Sequence, residues 1–157
     1  MPNADLLEQI RAHKDVMMDH VPHAKAMGIK FIDASEKGAL MKIPYAPHLV
    51  GNPETGVVHG GVVTTLLDHA SGLAVMCALE EFASTATLDL RIDYHAPATP
   101  ERDIIGHAFC YKLTKSIAFV RGTAYHDTPD DPIAASVGTF MVGANRAPSA
   151  FQTAVRK

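Results

Sequence analysis

Residues 51–72 read GNPETGVVHGGVVTTLLDHASG and bring together a loop amide, Asn52, two adjacent glycines, Gly60 and Gly61, and a single carboxylate, Asp68. From Gly61 to Leu79 the chain is dense in Val, Leu, Ala and Met without a proline, so a helix is predicted to open at the glycine pair. Unpaired N–H groups at a helix start, reinforced by the helix dipole, polarise a carbonyl or hold an oxyanion, and glycine lets a substrate reach the amide. Asp68 shares its helix face with Gly61, Thr64, Thr65, Ser71, Gly72 and Val75, the residues three or more positions away that helical spacing places beside it. An acid on a face of small residues is desolvated at a cost unless it is paired or used. Taken singly, each feature also has a structural explanation: a solvated or loop-capping Asp, and a tight turn that packs on a sheet.

Spacing adds what neither feature says alone. Gly60 and Asp68 are eight residues apart, which at the rise of an α-helix separates them by roughly 12 Å. They cannot act on one carbon. If the helix start binds the electrophile and Asp68 supplies the attacking group, the two come from different copies of the chain, related by a two-fold axis.

The elements that must position these residues follow from composition and period. A chain of 157 residues, 47% hydrophobic and 20% charged, fits one domain with a real core. A formal charge of −3 offers no general attraction to nucleic acid or to a membrane surface. No apolar run reaches the roughly 20 residues of a bilayer span, and the charged start, MPNADLLEQIRAHKD, lacks a signal-peptide core, so a cytoplasmic location is expected. Cys77 and Cys110 are too few for a disulfide framework and read as buried free thiols. The histidines, His20 and His23 among them, show no metal-ligand grouping, and no metal is predicted.

Leu6, Leu7, Ile10, Val16 and Met17 form a helical stripe over residues 4–20, a covering helix within an N-terminal segment 1–23. The runs 28–34 and 39–44, separated by SEKG, predict a β-hairpin, and the Pro-, Gly- and Asn-rich stretch 45–58 a loop. After the main helix, Leu88, Leu90, Ile92 and Tyr94 alternate with Thr87, Asp89, Arg91 and Asp93, a strand with one functional or wet face. Residues 104–112, 117–126 and 133–142 predict three more strands. The order αββαββββ, with short connections, calls for an α+β domain in which an antiparallel sheet wraps one buried helix.

NPETGVVHGGVVTTLLDHASG, followed by TLDLRIDYHAPA and KSIAFVRGTAY, resembles the hotdog-fold acyl-CoA thioesterases, specifically their phenylacetate-pathway (PaaI-type) branch. The resemblance covers about residues 24–143, leaving 144–157 as a C-terminal tail. It implies a homodimer or dimer of dimers hydrolysing acyl-CoA, with no cofactor beyond the coenzyme A of the substrate. By position, the Gly60 amide looks like the group that polarises the thioester carbonyl, Asn52 like the loop amide at the same region, and Asp68 like the general base or nucleophile. Thr87 matches a Ser or Thr that orients the water or the carboxylate. His59 and Gly61 are expected to shape the substrate-binding loop, His59 by donating a hydrogen bond. Lys112, Lys115 and Arg121 are candidates for the coenzyme A phosphates. His69, about 100° around the helix from Asp68, is expected to be packing or surface. Two rivals on the same fold are a hydratase or dehydratase recruiting His59, and a non-catalytic acyl-CoA binding module.

Overall fold

The computed structural model describes residues 4–143; the expected tail 144–157 lies outside them. The stripe over residues 4–20 folds not as one helix but as two, α1 (Ala4–Ala12) and α2 (Lys14–His20), and a third, α3 (Pro22–Met27), follows. Pro22 opens α3, where its missing N–H costs nothing, and Gly28 closes it with a left-handed φ of 72°. All three helices contribute to the common core, through Leu6, Leu7, Ile10, Met17, Met18 and Ala24.

The strands are β1 (Lys30–Ser35), β2 (Gly38–Ile43), β5 (Thr85–Tyr94), β6 (Ile104–Leu113), β7 (Ile117–Tyr125) and β8 (Pro132–Val142). They form one sheet in the order β1-β2-β6-β7-β8-β5, with every pairing antiparallel. The stretch expected to be irregular holds a 3₁₀ turn (Pro47–Leu49) and a small two-stranded ladder, β3 (Val50–Asn52) with β4 (Val57–Val58), which delivers the chain to the main helix, α4 (Gly60–Cys77).

Sheet residues that face α4 alternate along the strands: Ala118, Val120 and Ala124 on β7, Ala134 and Phe140 on β8, all at or near zero exposure. Small residues dominate because the helix lies close. A Cβ on Gly106 of β6 would stand 2.7 Å from Leu66 Cγ of α4, so glycine is what lets that strand pass under the helix. The length and apolarity of α4 would suit a bilayer span by themselves, but ten of its 18 residues are buried in this domain's core.

On β5 the expected alternation breaks at a bulge between Thr87 and Asp89, where Leu88 is the extra residue. Thr87 therefore faces α4 together with Leu90, Ile92 and Tyr94, while Leu88 is 52% exposed. Reading the strand as strictly alternating placed Thr87 on the opposite face from Leu90; the bulge corrects that.

Candidate active site

At the start of α4, His59 is the N-cap in extended backbone, and its Nδ1 accepts the Gly61 N–H at 2.9 Å. At Nδ1, His59 thus accepts rather than donates, and the Gly61 amide is engaged by its own chain. The Gly60 N–H is left without a partner among the described residues. Tyr94, at the end of β5, braces this turn: its hydroxyl donates to the Gly60 carbonyl at 2.7 Å and lies 2.7 Å from Thr64 Oγ1. The free amide opens on a cleft of about 410 Å³ between α4, β4 and the segment after β5, lined by Val57, Val58, Val63, Tyr94 and Ile133 among others.

Asn52 closes β3, and its side-chain oxygen accepts the Glu54 N–H at 3.0 Å, while its carbonyl accepts from Gly56 at 2.8 Å. Asn52 thereby shapes the turn that precedes the helix start; it lines neither the cleft at Gly60 nor the one at Asp68.

Asp68 stands half-buried two turns into α4, and Thr87 Oγ1 donates to its Oδ1 at 2.8 Å. No cation pairs with the carboxylate among the described residues, so the hydroxyl is what aims it. Asp68 and Thr87 both line a second cleft, of about 320 Å³, with Met17, Met18, His20 and Val21 of the N-terminal segment on one side and Gly72, Leu73 and Met76 of α4 on the other. His69 lines it too, contrary to the expectation of mere packing. Burial is the main cause holding its ring below the ordinary value of 6.5; Asp68 opposes and His23 adds to the depression. At neutral pH His69 is an uncharged neighbour of the carboxylate.

The remaining candidates stand apart. Arg121 lies on the sheet face turned away from α4, its guanidinium 4.6 Å over the Tyr111 ring, and Lys115 is exposed in the turn between β6 and β7. Neither lines either cleft. Burial pushes the Cys77 thiol up to about 12 and raises that of Cys110 as well, so neither suits a nucleophile's role. No His, Cys, Asp or Glu cluster among the described residues could hold a metal ion.

Tyr94, His69 and the α2 side chains escaped the sequence reading because nothing local marks them. A usable signal was the i, i+4, i+8 spacing of Asp68, Gly72 and Met76, which puts all three on one stripe of α4. Chemically, the chain offers an open helix-start amide in one cleft and an oriented carboxylate in another.

Among known proteins, residues 55–133 match the sequence profile of the thioesterase superfamily. A solved structure of a Pseudomonas aeruginosa protein superposes with a TM-score of 0.76 at 45% identity, covering 87% of this chain and 98% of that one. A Halobacterium salinarum protein provisionally designated an esterase is 36% identical over 118 residues, 71% of this chain and 77% of its own length. The medium/long-chain acyl-CoA thioesterase YigI of Escherichia coli is 25% identical over 82% of this chain and 90% of its own. Fold, profile and these similarities agree: the chain belongs to the thioesterase superfamily and has its hotdog fold.

Proposed function

We propose that the protein hydrolyses acyl-CoA thioesters to free coenzyme A and a carboxylic acid, in a site completed by two copies of the chain. The observation that carries this reading is the Thr87–Asp68 hydrogen bond at 2.8 Å, an oriented carboxylate lining an apolar cleft and set away from the Gly60 amide at the start of α4. The thioester carbonyl accepts the Gly60 N–H of one copy, where the helix dipole favours the developing negative charge. Asp68 of the other copy activates water or attacks the carbonyl carbon itself, and coenzyme A leaves as the thiolate. Asn52 and His59 build the turn that presents the Gly60 amide, and Thr87 holds Asp68 in line. The name of the YigI relative supports an acyl-CoA substrate. The spacing of HGG to Asp68 supports the PaaI-type branch.

Copies meet through β5, a ten-residue strand at the open edge of the sheet with Leu88 and Tyr94 each 52% exposed. An open sheet edge is a template for strand addition, and pairing β5 with its two-fold mate continues the sheet across the dimer. The hydratase alternative finds less support. His59 Nδ1 is engaged by the Gly61 N–H of its own chain, so that ring nitrogen is not open to take a proton from a substrate.

Asp68→Asn is the direct test. Release of coenzyme A thiol from an acyl-CoA falls by about 10²- to 10⁴-fold with the dimer intact, the usual worth of a positioned acid–base group. Turnover within a fewfold of wild type would refute the assignment.

A further inference from the structure

We infer that Tyr94 is a positioning residue of the hydrolytic site: its hydroxyl, gripping the Gly60 carbonyl, holds the neighbouring Gly60 N–H in the direction from which a thioester carbonyl approaches. The inference rests on the hydrolase reading above for the identity of the reacting group, and on the hydrogen bonds around Gly60 for the role of Tyr94.

Two adjacent glycines open α4, and glycine has more backbone freedom to lose on folding than any other residue. A donor stabilises developing charge best when it is fixed before the charge appears. Here the peptide joining Gly60 to Gly61 is held by side chains at both of its polar atoms. The Tyr94 hydroxyl donates to its carbonyl at 2.7 Å, and its N–H donates to His59 Nδ1 at 2.9 Å. The peptide before it, which carries the Gly60 N–H, is held by its own carbonyl, since His59 O accepts the Val62 N–H at 2.9 Å. A planar trans peptide then points the Gly60 N–H away from that carbonyl and outward from the helix start, where it has no partner among the described residues.

The clamp is itself anchored. Tyr94 ends β5 and pairs with Ala134 of β8, and the next two amides, those of His95 and Ala96, both donate to the Ile133 carbonyl, at 2.9 and 3.2 Å. A Cβ on Gly60 would stand 3.5 Å from the Tyr94 hydroxyl and 3.6 Å from its ring, so the side chain lies in contact over Gly60 and forms part of the cleft wall. A tyrosine hydroxyl has one proton, and here it lies on the Gly60 carbonyl. The Thr64 hydroxyl, 2.7 Å away, then donates to Tyr94 Oη, and each bond in such a chain polarises the next. The bulge at Leu88 puts Tyr94 on the same face of β5 as Thr87. One strand thus orients the carboxylate through Thr87 and the polarising amide through Tyr94.

The test reads the thioester carbonyl directly. Octanoyl-CoA isotope-labelled at that carbonyl is bound to Asp68→Asn, whose turnover is slowed, and to Asp68→Asn/Tyr94→Phe, and infrared difference spectra record the carbonyl stretch. Polarisation by the Gly60 N–H lowers the frequency in the first complex, and the lowering is expected to shrink by about half or more once the hydroxyl is gone. Thr64→Val in place of Tyr94→Phe is expected to move the band in the same sense, and Thr64→Ser, which keeps a donor, to leave it where Asp68→Asn has it. With Asp68 intact, Tyr94→Phe is expected to lower kcat for octanoyl-CoA by about ten- to a hundredfold and to leave KM within about threefold. A loss of packing alone would instead lower the urea midpoint and leave the carbonyl band in place. A band unmoved by Tyr94→Phe, a band not lowered on binding to Asp68→Asn, or a Tyr94→Phe kcat equal to that of wild type would overturn the positioning role. A band that responds to Tyr94→Phe in a protein whose wild type releases no thiol would uphold that role and overturn the hydrolase reading.

Discussion

The aim of Asp68 depends on one hydroxyl. The bond from Thr87 is to an ionised group in a partly desolvated cleft, a class of hydrogen bond worth about 1.5–3 kcal/mol. Thr87→Val keeps the branched shape that a strand favours and removes only the donor. Its kcat is expected to fall by about ten- to a hundredfold, with KM little changed; steady-state kinetics on one acyl-CoA checks this. Beside it, His69 ties stability to pH. Burial holds its ring below 6.5, so as acid is added the unfolded chain takes up a proton that the folded chain resists. Stability contributed by His69 therefore declines as pH falls below 6.5 towards the depressed folded value. The urea midpoint of wild type should drop more between about pH 7.5 and about pH 5.5 than that of His69→Gln, which carries no titrating ring.

At the scale of elements, the meeting of α4 with the sheet is controlled by small residues. An alanine at 106 would place its Cβ 2.7 Å from Cγ of the fully buried Leu66, an overpacking expected to destabilise by about 1–3 kcal/mol. Chemical denaturation of Gly106→Ala measures it, and an unchanged midpoint would show that the helix can lift without loss. Element order was largely legible in the sequence: α4 and the four strands after it follow from runs of Val, Leu and Ala and from their proline stops. Legible too was the placing of Gly60 at the start of α4 and of Asp68 two turns into it, with the separation that helical rise gives them. The bulge at Leu88 was not, because an inserted residue leaves a sequence still alternating in name while the faces exchange beyond it. The Tyr94 brace on Gly60 and the α2 wall of the cleft join residues 34 and about 50 positions apart, and no local pattern encodes such closures. The N-terminal stripe read as one helix because Leu6, Leu7, Ile10, Val16 and Met17 share a helical period, but the chain breaks between them at His13, the N-cap of α2; Val21–Pro22 then separates α2 from α3 by backbone chemistry.

At the scale of the whole molecule, the proposed composite site would make the dimer the unit of activity. Gly60→Pro deletes the free N–H while offering the φ that a first helical residue needs, and His59 before it is already extended. This variant and Asp68→Asn are each expected to be inactive alone. Mixed after unfolding and refolding, they should recover about a quarter of wild-type turnover, since half the dimers are mixed and each of those holds one intact site. Absence of recovery, with mixed dimers shown by mass spectrometry of the native complex, would place both groups in one chain. The roughly 12 Å between these residues also has a genetic meaning. A subunit carrying both changes spoils both sites of any wild-type partner, while a subunit carrying one change spoils a single site. Co-expressed with wild type, the double variant should therefore behave as a dominant inhibitor, and the single variants as partial ones.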